Sequence, residues 1–199
     1  MLPAIVILAS GSGSNLQSII DNVSTRRIRA SIAAVISDNP DAYALQRAHC
    51  AGIGTAVVNR SDYPSRNEWE SALSDKVYQF RPALVVLAGF MRVLSGRFVD
   101  RFEKRIMNIH PSLLPAHRGL DTHRRAIEAG DSIHGATVHF VTPELDDGPI
   151  IIQSPVRIEP GDSAETLAKR VLEREHVIYP EAIRQFVEGL ISFDDPACR

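Results

Sequence analysis

Asn108 and His110 stand two residues apart at the end of the apolar run Ile106 to Ile109, just before a loop punctuated by Pro111 and Pro115. Side chains alternate along a strand with period two, so both would point to the same side. The prolines stop a helix from starting at once. An amide beside an imidazole can donate hydrogen bonds to negative charge developing on an oxygen. The imidazole does so as a cation only if a neighbour fixes its tautomer and favours its charged form, which an adjacent carboxylate does. The segment Pro143 to Pro149 offers Glu144, Asp146 and Asp147, although alone these residues read first as a solvated turn. An Asn-His-Asp group contains no activated Ser or Cys. It suits direct attack by an external nucleophile on an acyl carbon, with the oxyanion stabilised, rather than a covalent enzyme intermediate. His123, His134 and His139 are further candidates, but a histidine within HGATVHF reads equally as a satisfied core residue. They show no ligand pair at metal-binding spacing, so no metal site is expected.

A second stretch, SGSGSNLQ at 10 to 17, follows the first apolar run and leads into a helix-forming segment. Amides at a helix start point outward with the positive end of the dipole, and a phosphate is their natural ligand. Gly11 and Gly13 match the first two positions of the dinucleotide fingerprint, but Leu16 stands where a third small residue belongs, and no Lys-Ser/Thr pair marks a triphosphate loop. A monophosphate fits better. Asn15 could cap the helix or reach a sugar phosphate, and a tight turn with no ligand is the competing reading.

The chain has 199 residues, 44% hydrophobic and 23% charged, with 22 basic against 24 acidic side chains and a net charge of -2. That excludes a disordered chain and gives no sustained basic face for nucleic acid. Cys50 and Cys198 are far apart and imply neither a disulfide framework nor a zinc site, which fits a reducing, cytoplasmic setting. MLPAIVILAS lacks a basic leader and is too short to span a bilayer, so a first core strand is expected there and no membrane association. One domain over 1–199 is expected, with no linker or repeat.

To position these groups the chain needs a scaffold, and strand-length apolar runs alternating with helical periodicity predict a mostly parallel α/β sheet covered on both faces. Strands are expected at 4–9, 31–37 and 55–59, with helices between them. Ser65 to Phe80 carries Trp69, Leu73, Val77 and Phe80 at helical spacing. ALVVLAG at 83–89 is apolar throughout and belongs in the middle of the sheet. The RIMNIH strand follows, then two strands in GATVHFVTPELDDGPIIIQSPVRI that are expected to be antiparallel. Asp162 and Glu165 stand in capping-box register before a long final helix containing Pro180.

NIHPSLLP, HGATVHFV and LDDGP, in that order, together with GSGSNLQ, LAGFMRVL and EHVIYPEAI, resemble the folate-dependent formyltransferases over essentially the whole chain. The resemblance implies a Rossmann-like fold and transfer of a formyl group from 10-formyltetrahydrofolate to the amine of glycinamide ribonucleotide, a step of purine biosynthesis. It places Asn108 and protonated His110 at the oxyanion, and Asp146 beside His110. Gly13, Ser14, Asn15 and Glu175 would bind the ribonucleotide. Arg66, Met91, Arg92, Val93, Leu94 and Asn108 would bind the folate, with backbone groups of 142–146 on its pterin ring. Residues 1–100 then form the ribonucleotide-phosphate half, and 101–199 the folate and catalytic half. No metal is required, and the state of association is left open, with a homodimer among the options.

Two features depart from the family pattern. Leu172 stands where relatives often carry Gln or Lys towards the phosphate, leaving backbone amides or Arg174 to compensate, and PAHRG replaces an aromatic-bearing loop. His117 and Arg118 are therefore expected at the surface, and the bond between Leu114 and Pro115 is expected to be cis. Formyltetrahydrofolate hydrolase shares the Asn-His-Asp group but carries an extra domain before it, and the transferase acting on initiator tRNA carries a basic domain after it. A nucleotide-binding module without activity would explain SGSGSN and leave Asn108, His110 and Asp146 as coincidence.

Overall fold

The computed structural model describes residues 1–196 and 198. Seven strands form one sheet: β1 (Ala4–Leu8), β2 (Ser31–Ser37), β3 (Thr55–Val57), β4 (Leu84–Leu87), β5 (Ile106–His110), β6 (Ile133–Phe140) and β7 (Ile150–Arg157). Their spatial order is β3-β2-β1-β4-β5-β6-β7. The first five are parallel, whereas β6 runs antiparallel to both β5 and β7. The expected strands are therefore present in the expected directions, and the all-apolar β4 lies at the centre. Six helices accompany them: α1 (Ser14–Ser24), α2 (Tyr43–Cys50), α3 (Arg66–Tyr78), α4 (Gly96–Arg101), α5 (Thr122–Glu128) and α6 (Ala164–Val187). The short α4 and α5 had too little periodicity to be anticipated.

Strand alternation divides the core into two layers. Ile5 and Ile7 of β1, Leu84 and Val86 of β4, and Met107 and Ile109 of β5 pack with Leu16, Ile19, Ala48, Leu167, Val171 and Ile183 of α1, α2 and α6. Val6 and Leu8, Val85 and Leu87, and Ile106 pack on the other face with Trp69, Leu73 and Val77 of α3 and Phe98 of α4. Burial of each such side chain contributes about 1.5–3 kcal/mol against the entropy of folding. On β5 the same alternation puts Asn108 and His110 on the α3 and α4 side, with Ile106.

Capping of the last helix differs from the expected register. Ser163, not Asp162, is the N-cap, and it exchanges hydrogen bonds with Thr166. The next residue, Glu165, lies in the first turn. Asp162 instead pairs with Arg170 and accepts from the Thr166 hydroxyl. A one-residue shift wins because a serine hydroxyl and a threonine at N3 complete the box equally well. α6 runs unbroken through Pro180.

In the sheet order the chain reverses between β1 and β4, so the loops leaving their carboxyl ends diverge and open a crevice. β5 ends on the same edge, with Leu87 of β4 in register with Asn108. The buried Tyr179 hydroxyl of α6 lies 2.9 Å from both the Leu87 and the Met107 carbonyl, tying the helix to the strands that carry the crevice. Tyr179→Phe should leave these carbonyls without that donor and lower stability by about 1–3 kcal/mol, read as a lower urea midpoint at unchanged slope.

Candidate active site

β5 delivers Asn108 and His110 to one side, and β6 delivers His139 directly opposite Asn108. The loop between β6 and β7 folds back so that Asp146 reaches His110. Gly148 permits this return: a Cβ there would stand 1.8 Å from the Phe140 carbonyl oxygen. Asp146 Oδ2 is 3.4 Å from His110 Nδ1, and both side chains are at least nine-tenths buried. The Gly119 N–H donates to that same Oδ2 at 2.9 Å. On its other side, His110 Nε2 faces the His117 carbonyl at 3.0 Å. Both ring nitrogens thus face oxygen atoms.

His139 has the opposite character. Its Nδ1 donates to the Phe140 carbonyl at 2.8 Å, leaving Nε2 to accept from the Asn108 amide at 3.2 Å. Burial lowers its pKa and keeps the ring neutral, despite Asp146 Oδ1 at 3.8 Å. One amide hydrogen of Asn108 is thereby used, and the second is free for a ligand. His139, which the sequence reads equally as core or as functional, is both: it is buried, and it aims Asn108. His134, also buried, has its pKa pushed down to about 4 by desolvation.

The second cluster forms where β1 meets α1. Gly13 is the N-cap of α1, with φ 69°, and no side chain caps the amides that follow. A Cβ on Gly13 would come within 2.7 Å of the Ala44 backbone, so the turn and its packing on α2 both require glycine. Asn15 donates through Nδ2 to Glu175 Oε2 at 2.6 Å, which joins α1 to α6. Burial raises the Glu175 pKa, partly offset by that hydrogen bond. Asn15 Oδ1 is buried and has no hydrogen-bond partner. Leu172 lies one turn before Glu175, while Arg174 is exposed and not bonded to the loop. The cation that does approach is Arg47 of α2, donating to the Ser12 carbonyl at 2.8 Å and to Gln17 at 3.2 Å.

A third group borders the crevice after β4. Arg66 at the start of α3 donates to the Val93 carbonyl at 2.6 Å, uniting two of the predicted residues. Met91 and Val93 are exposed, whereas Leu94 is buried beneath them. The Arg92 guanidinium is committed to the buried Asp38 at 2.6 Å. Asp38 also accepts from Ser10 Oγ at 2.6 Å, and Ser10 Oγ accepts from the Met91 N–H at 2.9 Å. This chain of contacts fastens the loop after β4 to the loop after β1. Reasoning on sequence passed over Asp38, Ser10, Arg47 and Gly119. The VISD end of the second strand was the available signal for Asp38, since a carboxylate closing a parallel strand lands on the ligand-binding edge.

The loop from Pro115 to Gly119 corrects one expectation and supports another. The Leu114–Pro115 bond is cis. His117, however, is only 15% exposed and its Nε2 lies 2.6 Å from Asp131, while Arg118 pairs with Asp147. Arg118 is exposed, as expected, and only His117 departs from the expectation, because the carboxylate that holds it lies beyond the reach of a local sequence reading.

The formyl transferase family model matches residues 4–183, nearly the full chain. This chain belongs to the formyl transferase family. It is similar to the phosphoribosylglycinamide formyltransferase of Escherichia coli (strain K12), 47% identical over 97% of this chain and 91% of that protein. Identity to the enzyme of that name from Haemophilus influenzae is also 47%, covering 96% of this chain and 90% of the other. The solved structure of glycinamide ribonucleotide transformylase 1 from Symbiobacterium toebii superposes with a TM-score of 0.92 at 48% identity, covering 94% of this chain and 89% of that one. The mostly parallel sheet with its antiparallel end is thus the formyltransferase fold.

The buried Glu175 has a consequence for stability. Its folded pKa is raised, so the native state binds a proton that the unfolded chain has lost, and stability falls as pH rises from the unfolded carboxyl value towards the folded one. Glu175→Gln keeps an oxygen acceptor for Asn15 and removes the charge. It should unfold at higher denaturant than the parent at pH 7 but not at pH 4.

Proposed function

We propose that this protein transfers a formyl group from 10-formyltetrahydrofolate to the amine of glycinamide ribonucleotide in de novo purine biosynthesis. The observation that carries the mechanism is the buried group Asn108, His110 and Asp146, with no Ser or Cys nucleophile bonded to it. The substrate amine attacks the formyl carbon, and the carbonyl electrons move onto oxygen. Asn108 donates its free amide hydrogen to that oxyanion and His110 its Nδ1 hydrogen. The Nδ1 contact with Asp146, at 3.4 Å, is looser than the 2.7–2.9 Å typical of a charge-assisted hydrogen bond, which leaves this hydrogen available. The intermediate collapses when the attacking nitrogen loses a proton and N10 of the folate gains one. Asp146 assists that relay and maintains the imidazolium. Electrostatic stabilisation of this kind is commonly the largest catalytic contribution.

The ribonucleotide phosphate lies against the uncapped amides of Ser14 and Asn15 at Gly13, with Arg47 supplying the positive charge that Leu172 cannot. Glu175 receives the ribose end. The folate rests on Met91, Arg92, Val93 and Leu94, with Arg66 towards its glutamate and backbone groups of 142–146 on the pterin. The phosphate site thus falls in residues 1–100 and the catalytic group in residues 101–199 of one domain. None of the helices in the described residues is long and apolar enough to cross a membrane, and a cytoplasmic setting goes with this reading. No metal is needed for any step, and no group of three or more potential ligands gathers among the described residues.

Deformylation of 10-formyltetrahydrofolate by the purified protein should require glycinamide ribonucleotide and proceed unchanged with chelator present. Equal deformylation without the ribonucleotide would make water the acceptor and the protein a hydrolase. His110→Gln and Asp146→Asn should each reduce kcat by at least about a hundredfold while folate still binds. A nucleotide-binding module would show no turnover to lose.

A further inference from the structure

The loop from Pro115 to Gly119 touches both members of the proposed catalytic pair through its backbone. The His117 carbonyl accepts from His110 Nε2 at 3.0 Å, and the Gly119 N–H donates to Asp146 Oδ2 at 2.9 Å. Each contact favours the charged form of its partner, since a carbonyl dipole stabilises an imidazolium and an N–H dipole stabilises a carboxylate. The loop holds these dipoles in place by side chains of its own. His117, in a left-handed conformation with φ 53°, bonds Asp131 just beyond α5 at 2.6 Å. Arg118 bonds Asp147, the neighbour of Asp146. From α5, Arg125 donates to the carbonyls of Arg118 and Leu120 at 2.6 and 3.2 Å.

We infer that His117 and Asp131 are positioning residues for formyl transfer: their contact fixes the loop so that one backbone carbonyl and one N–H hold His110 and Asp146 as a charged pair. The inference rests on the reading of Asn108, His110 and Asp146 as the catalytic group. Other charged or titratable groups near the pair are His139 from β6, held neutral by burial, and His123 from α5, whose pKa burial lowers. Arg118 and Asp147 compensate each other at the loop surface. No cation among them replaces the lost dipoles when the loop loosens, so the pair itself must respond.

Three variants separate positioning from folding. Asp131→Ala removes the acceptor. His117→Asn retains a residue that tolerates the left-handed region but cannot reach Asp131. Asp131→Asn keeps an oxygen that accepts from the neutral His117 ring. The readouts are the histidine ¹⁵N NMR titration of the free protein, with His110 assigned by its disappearance in His110→Gln, and kcat and KM for both substrates. Asp131→Ala and His117→Asn should lower the pH at which His110 loses its proton by about one unit, matching about tenfold in the charged fraction above it. In both, kcat should fall by about as much with KM within about twofold, and Asp131→Asn should restore both quantities. The inference is overturned if the His110 titration is unmoved in both variants, whatever happens to thermal stability. It is also overturned if Asp131→Asn behaves as Asp131→Ala does. Should the parent protein transfer no formyl group at all, the functional reading fails, while the NMR titration still decides whether the loop sets the charge of His110.

Discussion

The contacts that hold the His110 ring are the constraint on which the rest of this structure turns. A buried imidazole needs partners for its ring nitrogens, and here each faces an acceptor: a carboxylate at Nδ1 and a backbone carbonyl at Nε2. Neither acceptor lies on β5. Asp146 must be brought back from beyond β6, and the His117 carbonyl from a loop entered through a cis proline. The antiparallel end of the sheet follows from the same need. It turns the chain so that HGATVHF runs alongside NIH in the opposite sense, and the loop that ends β6 can return over the face bearing the histidine.

A parallel sheet gathers ligands at the carboxyl ends of its strands, and four of the five parallel strands contribute here. β1 supplies Ser10 and the glycine turn, β2 supplies Asp38, β4 the segment from Met91 to Leu94, and β5 Asn108 and His110. What converts these neighbours into one surface is a set of buried carboxylates. Asp38 joins Ser10 to Arg92, Glu175 accepts from Asn15, and Glu70 accepts from both the backbone N–H and the hydroxyl of Ser95. The Asp38–Arg92 ion pair does little for net stability, because desolvation offsets the attraction. The effect of the buried carboxylates is geometric: each leaves its partner one low-energy position.

The elements were legible in sequence because two periodicities dominate the chain. Continuous apolar runs marked the central strands, and Trp69, Leu73 and Val77 marked α3. Strand alternation alone predicted that Asn108 and His110 share a face. The order of short motifs pointed to Asp146 as the carboxylate, although spacing could not choose among Glu144, Asp146 and Asp147. What stayed hidden was contact across long separations. Asp38 meets Arg92, 54 residues on, and Asn15 meets Glu175, 160 residues on. Backbone groups were equally invisible, because the carbonyl of residue 117 and the N–H of residue 119 carry no side-chain signature. His117 read as a surface residue for that reason, whereas Arg118 does lie at the surface.

The cation bonded to the turn at Gly13 is Arg47 of α2, while Leu172 of α6 offers no charge. A phosphate at a helix start is bound mainly by amides that every residue except proline supplies, so the turn at Gly13 carries the geometry while neighbouring cations adjust the field. A cation at such a turn can therefore come from any neighbouring element without changing the geometry of the amides. Arg47 occupies such a place, since its hydrogen bonds to Ser12 and Gln17 straddle the turn from α2. Its guanidinium also stacks over Tyr43 at 4.8 Å, which limits its rotamers before any ligand arrives. The catalytic end has no such freedom. There one imidazole meets a single carboxylate at Nδ1 and a single backbone carbonyl at Nε2, so moving either one changes the surroundings of that ring directly.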